Sequence, residues 1–143
     1  MSDLFNLTRF VEAQNPLYAL VLEELRAGEK ATHWMWFVFP QIRGLGGSPM
    51  AEMFAISSSD EAKAYLDHEV LGPRLDECTR LVLEVEGKTA DEIFGYPDTL
   101  KFRSCMTLFA ECVPGDSVFR DALARYFEAR PDERTLAILR ENG

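Results

Sequence analysis

The sequence predicts an all-α fold, a compact single-domain irregular array of about seven to eight helices with little or no β-strand. Three observations carry this expectation. Apolar residues recur at helical spacing, most clearly in Phe102, Met106, Phe109 and Val113, a stripe that Cys105, Leu108 and Cys112 widen. Helix punctuation recurs as well: Ser58-x-x-Glu61 and Thr89-x-x-Glu92 have capping-box spacing, and Gly28, Gly87 and Gly95 stand where helices would stop. The alternating pattern of a half-buried strand is nearly absent.

In chain order, a first helix is expected from Leu4 to Ala13, with Leu7, Phe10 and Val11 inward. Asn15-Pro16 reads as the start of a second, because an Asn side chain can serve the orphan amides and proline presets helical φ. Leu17, Leu20, Val21 and Leu25 continue it to Gly28. The aromatic run from Thr32 to Phe39 is expected as a third helix, ended by Pro40. Met50 to Ile56 is short and ambiguous. Ser58 starts a helix through Tyr65 and Leu66 to about His68, and Pro73 stands near the first turn of another, which carries Leu75, Cys78, Thr79, Val82 and Val85 and stops at Gly87. Thr89 caps the short apolar turn of Ile93 and Phe94, which Gly95 and Pro97 end. Asp98 to Val113 is the buried helix. Ser117 caps the next, with Val118, Ala122, Leu123, Tyr126 and Phe127, and Pro131 opens a last one with Leu136, Ile138 and Leu139. Uneven lengths and Gly-Pro breaks speak against an up-down bundle.

At 143 residues the chain, 1–143, is read as one domain with one core. Its net charge of −9, from 24 acidic and 15 basic side chains, opposes non-specific binding to nucleic acid. A local basic pocket for a small anion is compatible with that charge, and Lys30 with Arg43, or Lys101 with Arg103, are the candidate neighbourhoods. The apolar stretch from Trp34 to Phe39 is far shorter than the ~20 residues that span a bilayer, so no membrane partner is expected. The first residues lack a basic segment followed by a long apolar one, and a cytoplasmic location is expected. Cys78, Cys105 and Cys112 form no C-x-x-C pair and are read as reduced core residues. No metal-ligand spacing is present, and neither a metal nor a cofactor is expected.

Several strings together resemble one known family. They are Lys30-x-x-His33-Trp34-Met35-Trp36-Phe37-x-Phe39-Pro40-Gln41-x-x-Gly44-Leu45-Gly46-x-Ser48, then Arg9-Phe10-Val11-x-Ala13-Gln14, Glu61-Ala62-x-x-Tyr65-Leu66, Leu71-Gly72-x-Arg74-Leu75 and Asp98-x-x-Lys101-x-x-Ser104-x-x-Thr107-x-Phe109. The chain is similar over nearly its whole length to the family known as domain of unknown function 1810. The resemblance implies a compact, mainly helical intracellular domain without an established activity. Glu69 stands where that family more often has proline, which touches only a local turn.

The most site-like segment runs from the aromatic helix into a glycine-rich loop. Gln41, Arg43, Gly44, Gly46 and Ser48 offer an amide, a guanidinium, bare backbone N–H groups and a hydroxyl, a set suited to phosphate or carboxylate. It lacks the Gly-Lys-Ser/Thr of a P-loop and the preceding strand of a dinucleotide fold, and a tight turn between helices would also explain it. His33 is either a satisfied structural residue or a base or donor beside an anion, and on a helix it would share a face with Trp36, Phe37 and Pro40. His68, at an acidic helix end, is read as solvated. Trp34 and Trp36 point roughly 200° apart on a helix, so they cannot share a wall; one belongs in the core, and the other either joins it or stacks on a planar ligand.

Lys101 and Ser104, one turn apart, are either helix-end and salt-bridge residues or the side of a pocket completed by His33 and Gln41. Two expectations follow. The first is a small-molecule binding protein or enzyme for an anionic, nucleotide- or ADP-ribose-like ligand, with Lys30, Trp36, Gln41, Arg43, Gly44, Gly46 and Ser48 binding and His33, Lys101 and Ser104 as catalytic candidates. The second is a protein-interaction module or homodimer using the same aromatic surface.

Overall fold

The computed structural model describes residues 3–142. Among these residues ten helices run in the order α1 (Thr8–Gln14), α2 (Tyr18–Ala27), α3 (Met35–Val38), α4 (Pro49–Met53), α5 (Ser59–Asp67), α6 (Leu71–Glu84), α7 (Ala90–Phe94), α8 (Asp98–Ala110), α9 (Val118–Phe127) and α10 (Glu133–Asn142). The fold is all-α as expected, with more helices than the seven or eight expected, because the ambiguous stretch after the glycine loop yields α4 and every short capped turn closes as a helix of its own. The one β feature among the described residues is an isolated parallel bridge between Ile42 and Ile56.

Where the sequence punctuates correctly, the caps are visible. Ser58, Thr89 and Ser117 each accept the amide three residues on, and Thr89 with Glu92 completes a reciprocal capping box. At Ser58 the box is only half made, since the Glu61 carboxylate turns to the Ser57 amide and hydroxyl and to Arg9. Ser48 caps α4 in the same way, with Pro49 at the first helical position.

Several boundaries differ from expectation, among them the end of α8 at Ala110 and not Val113 and the start of α10 at Glu133 and not Pro131. The first helix begins at Thr8 and not Leu4, because Asn6 takes a left-handed φ of 53° and the Asp3 carboxylate accepts the amides of Leu7 and Thr8. Asn15-Pro16 is not a helix start: Asn15 stays helical and its amide bonds to Val11, so it closes α1, and α2 starts only at Tyr18. The aromatic run is a single turn, α3, because residues 31–34 are held as a loop by Glu24 and Trp34 has φ −140°. His33 therefore lies outside any helix and shares no helical face with Trp36 and Phe37. Pro73, the third residue of α6, falls in its first turn as expected, and at the start of that helix His68 Nδ1 accepts the amides of Val70 and Leu71 at 3.1 and 3.2 Å. That engagement corrects the solvated reading of His68.

The buried α8 lies at the centre, packed on α9, α10, α7, α5 and α3, while α6 joins α2, α5 and α9 on the other side. Phe102 stacks on Phe94 at 4.6 Å and meets Phe39 edge-on at 5.0 Å, and Phe109 of the same helix touches Tyr65 and Phe119. These rings lie in one buried apolar cluster with Leu25, Ile42, Ile56, Leu71 and Leu75. Two polar staples cross the core. Gln14, 2% exposed, donates to the Phe37 carbonyl and to Tyr65 Oη and accepts from Arg74. Arg9 pairs with Glu61 at 2.9 Å and also donates to the carbonyls of Phe5, Asn6, Met53 and Ala55, tying α1 to α5 and to the end of α4. Cys78 and Cys105 are buried and Cys112 is half-buried, all three free thiols. Burial pushes Cys78 up to about 12 and holds the other two thiols protonated as well.

Candidate functional site

Glu24, buried on α2, organises the segment that leads to α3. Its carboxylate accepts the amides of Ala31 and Thr32, the Thr32 hydroxyl and Trp34 Nε1, at 2.7 to 3.1 Å. Burial disfavours its charge, but these four donors together hold its pKa below the ordinary glutamate value. Trp34 is thereby fixed in the core, at 0% exposure, while Trp36, two residues on, is only partly covered. The Lys30 amide donates to the Ile93 carbonyl, which sets this loop against α7.

Opposite stands the start of α8. Gly95, at φ 77°, turns the chain, and the Thr99 hydroxyl fastens that turn by donating to Asp91 and to the Gly95 carbonyl. Asp98 thereby projects from the first residue of α8 between two lysines. Its Oδ2 is 2.9 Å from Lys30 Nζ and its Oδ1 3.0 Å from Lys101 Nζ. Burial alone would raise the Asp98 pKa; the two ammoniums outweigh it and keep the carboxylate below its usual range. Lys30 Nζ also donates to the Thr32 carbonyl and lies 5.1 Å from the Trp34 ring centre. Lys101 Nζ lies 5.2 Å from the Trp36 ring centre and has Asp98 as its one hydrogen-bond acceptor among the described residues. Two of its three N–H groups are thus available to a ligand.

Around this triad are two adjoining clefts. The first, about 360 Å³, is bounded by Lys30, His33, Trp36, Tyr96, Asp98 and Lys101, with Phe94, Met35 and Pro97 beneath. The second, about 280 Å³, has Gln41, Gly46, Ser104, Asp132 and Arg134 around aliphatic walls of Leu45 and Leu100. Lys101 and Pro97 border both.

The structure thus brings Lys30, His33, Trp36 and Lys101 together, and Gln41, Gly46, Lys101 and Ser104 together one cleft away. His33 is exposed on the first rim; Ser104 is buried on the second, its hydroxyl donating to the Leu100 carbonyl at 2.9 Å. Ser48 is engaged as the cap of α4. Gly44, at φ 108°, packs beside Ile138, and Gly46 approaches Ala51 so closely that a Cβ there would lie 2.7 Å from its methyl. These glycines serve close packing of the loop. Arg43 lies elsewhere, in a hollow of about 490 Å³ with Leu4, Met53, Arg9 and Glu61. In that hollow Arg9 and Glu61 are bonded to one another and to backbone. Sequence reasoning missed Tyr96, Asp98 as the shared anion, Asp132 and Arg134; the Gly-Tyr-Pro turn before α8 was the available signal for the first.

Among the described residues no helix is long and apolar enough to cross a membrane, and no group of three or more His, Cys, Asp or Glu side chains could hold a metal ion.

A small all-α domain with a lysine-flanked carboxylate between two clefts is the class that fold and site define. The family model described as "Protein of unknown function (DUF1810)" matches residues 4–139, and the chain belongs to that family. The crystal structure of the conserved hypothetical protein Rv1873 from Mycobacterium tuberculosis is similar throughout, with 56% identity and a TM-score of 0.95 over 96% of this chain and 99% of that one. A search of the curated proteins finds no match.

Proposed function

We propose that the first cleft binds a small anionic ligand bearing a planar ring, of the nucleotide or ADP-ribose kind. The observation that carries this is the placement of two ammoniums on one carboxylate, which leaves a net positive charge beside an open aromatic wall. Lys101 presents its remaining N–H groups to phosphate, Lys30 adds charge from behind, and Trp36 with Tyr96 flanks the ring. Tyr96 is 79% exposed, so its ring meets a ligand without any rearrangement of the core. The reading is one of binding: His33 and Ser104 border different clefts, and the Ser104 hydroxyl is directed to backbone.

The test is calorimetric and thermal-shift titration with AMP, ADP, ADP-ribose, NAD, sugar phosphates and inorganic phosphate. A binder at 100 times its dissociation constant raises stability by ~2.7 kcal/mol. Lys101→Ala should abolish that gain while leaving the unliganded melting temperature nearly unchanged. Silence across the panel up to millimolar concentration overturns the proposal.

A second reading rests on the exposure of Tyr96 and of Leu100, at 79% and 48%. Tyr96 rims the first cleft and Leu100 the second, two hollows that adjoin at Pro97 and Lys101, and a protein partner or a second copy of the chain could cover both. Sedimentation across a hundredfold concentration range checks the homodimer; a concentration-dependent mass lost in Tyr96→Ser supports it.

A further inference from the structure

We infer that the ligand spans both clefts, with its anionic group over Lys101 and a polyhydroxylated sugar in the second cleft, which makes it a pyrophosphate-linked nucleoside–sugar conjugate. The inference rests on the nucleotide reading of the first cleft and extends it. Its basis is an asymmetry between the two sides of one lysine.

Lys101 stands on the border that both clefts share, so an anion on its unengaged N–H groups lies between them. A mononucleotide ends in its phosphate and would leave the second cleft to water. The two sides also differ in chemistry. On the first are the aromatic rings of Trp36, Tyr96 and Phe94. No aromatic side chain lines the second, whose walls are Leu45, Leu100 and Pro97. Its polar groups mix donors with acceptors. The Gln41 amide and the exposed Arg134 guanidinium have no side-chain hydrogen bond among the described residues. Asp132 Oδ2 accepts the amide and the hydroxyl of Thr135 at the start of α10, and its Oδ1 accepts no hydrogen bond among the described residues. An amide, a guanidinium and a carboxylate oxygen at an aliphatic wall suit the alternating donors and acceptors of sugar hydroxyls; a second base would need a stacking face.

Titration calorimetry at fixed ionic strength with AMP, ADP, ADP-ribose and UDP-glucose tests this on the full chain. The expected result is that at least one of the two conjugates binds tenfold or more tightly than ADP. Gln41→Ala and Arg134→Ala should each bring that conjugate towards the ADP value while leaving ADP affinity and the melting temperature unchanged. Both positions lie outside the first cleft, and Arg134 is exposed, so the fold should survive either change. Equal binding of ADP and both conjugates, or conjugate binding insensitive to both variants, overturns the inference and leaves the nucleotide reading standing. Absence of binding by all four overturns both.

Discussion

Trp34 Nε1 donates to Glu24 Oε1 at 2.9 Å inside the core, and this one bond separates the roles of the two tryptophans. It draws Trp34 inward and leaves Trp36, on the far side of the turn, to border the first cleft. The same carboxylate shapes the loop that carries Lys30 and His33.

Glu24→Gln should therefore destabilise the fold by about 2 kcal/mol, because an amide cannot accept all four donors and brings donors of its own. The folded pKa of Glu24 is lowered, so its contribution is complete above the ordinary glutamate value of 4.5 and fades as pH falls through the folded value. Denaturant unfolding of wild type and variant from pH 7 to pH 3 checks this; the gap should narrow only at the acid end. A constant gap would show that shape, and not charge, is what Glu24 provides.

Asp98 competes with any anion for Lys30 and Lys101. Asp98→Asn should cost about 1 to 2 kcal/mol at pH 7 while strengthening nucleotide or phosphate binding severalfold. The Asp98 pKa is also depressed in the fold, so the stability cost should shrink as pH drops below 3.8 and through the folded value. Calorimetry and chemical unfolding on the same sample separate the two effects, and weaker anion binding in the variant would contradict the site.

Gly72 lies where α6 begins against the end of α5. A Cβ at that position would stand 2.1 Å from the Leu66 carbonyl oxygen, a backbone atom that cannot step aside. Gly72→Ala should cost about 3 kcal/mol or more, measured as loss of the thermal unfolding midpoint. Gly47→Ala, at a position with open space around it, is the control that should change little.

His68 offers an Nδ1 acceptor to two amides at the start of α6. His68→Ala should cost about 1 kcal/mol, and His68→Asn should recover most of it by presenting another acceptor over the same short reach. Denaturant midpoints of the three proteins decide the matter.

The helices most legible in the sequence were those with local signals. Ser58, Thr89 and Ser117 announce their helices because a cap needs only residues three apart, and the stripe of α8 is visible because its buried face is wide. Asn15-Pro16 misled because the same dipeptide can finish one helix before a turn, and only the Val11 carbonyl decides which. The aromatic run misled because its backbone answers to Glu24, a residue ten positions upstream of Trp34. Of the site, Lys30, His33, Trp36, Gln41, Lys101 and Ser104 were legible as chemistry. Their division between two clefts was not, since it depends on Asp98 lying 68 residues from Lys30. Arg43 and Ser48 looked like ligand groups on composition, yet Arg43 faces another hollow and Ser48 caps α4.

The lone bridge between Ile42 and Ile56 rests on two bonds of 2.8 Å, Arg43 N to the Ile56 carbonyl and Ile56 N to the Gln41 carbonyl. Both feet of the glycine-rich segment are buried, and Leu45 to Ser48 form its outer tip. Such a closed base leaves one position of the tip free to vary: Gly47 has open space around it, whereas Gly46 is pressed against Ala51 and Ser48 is held as the cap of α4, so residues added at Gly47 extend the tip at small loop-closure cost. Leu45, two residues before Gly47, borders the second cleft only, so a change on this side of the tip would alter one half of the proposed binding surface and leave the Trp36 half as it is.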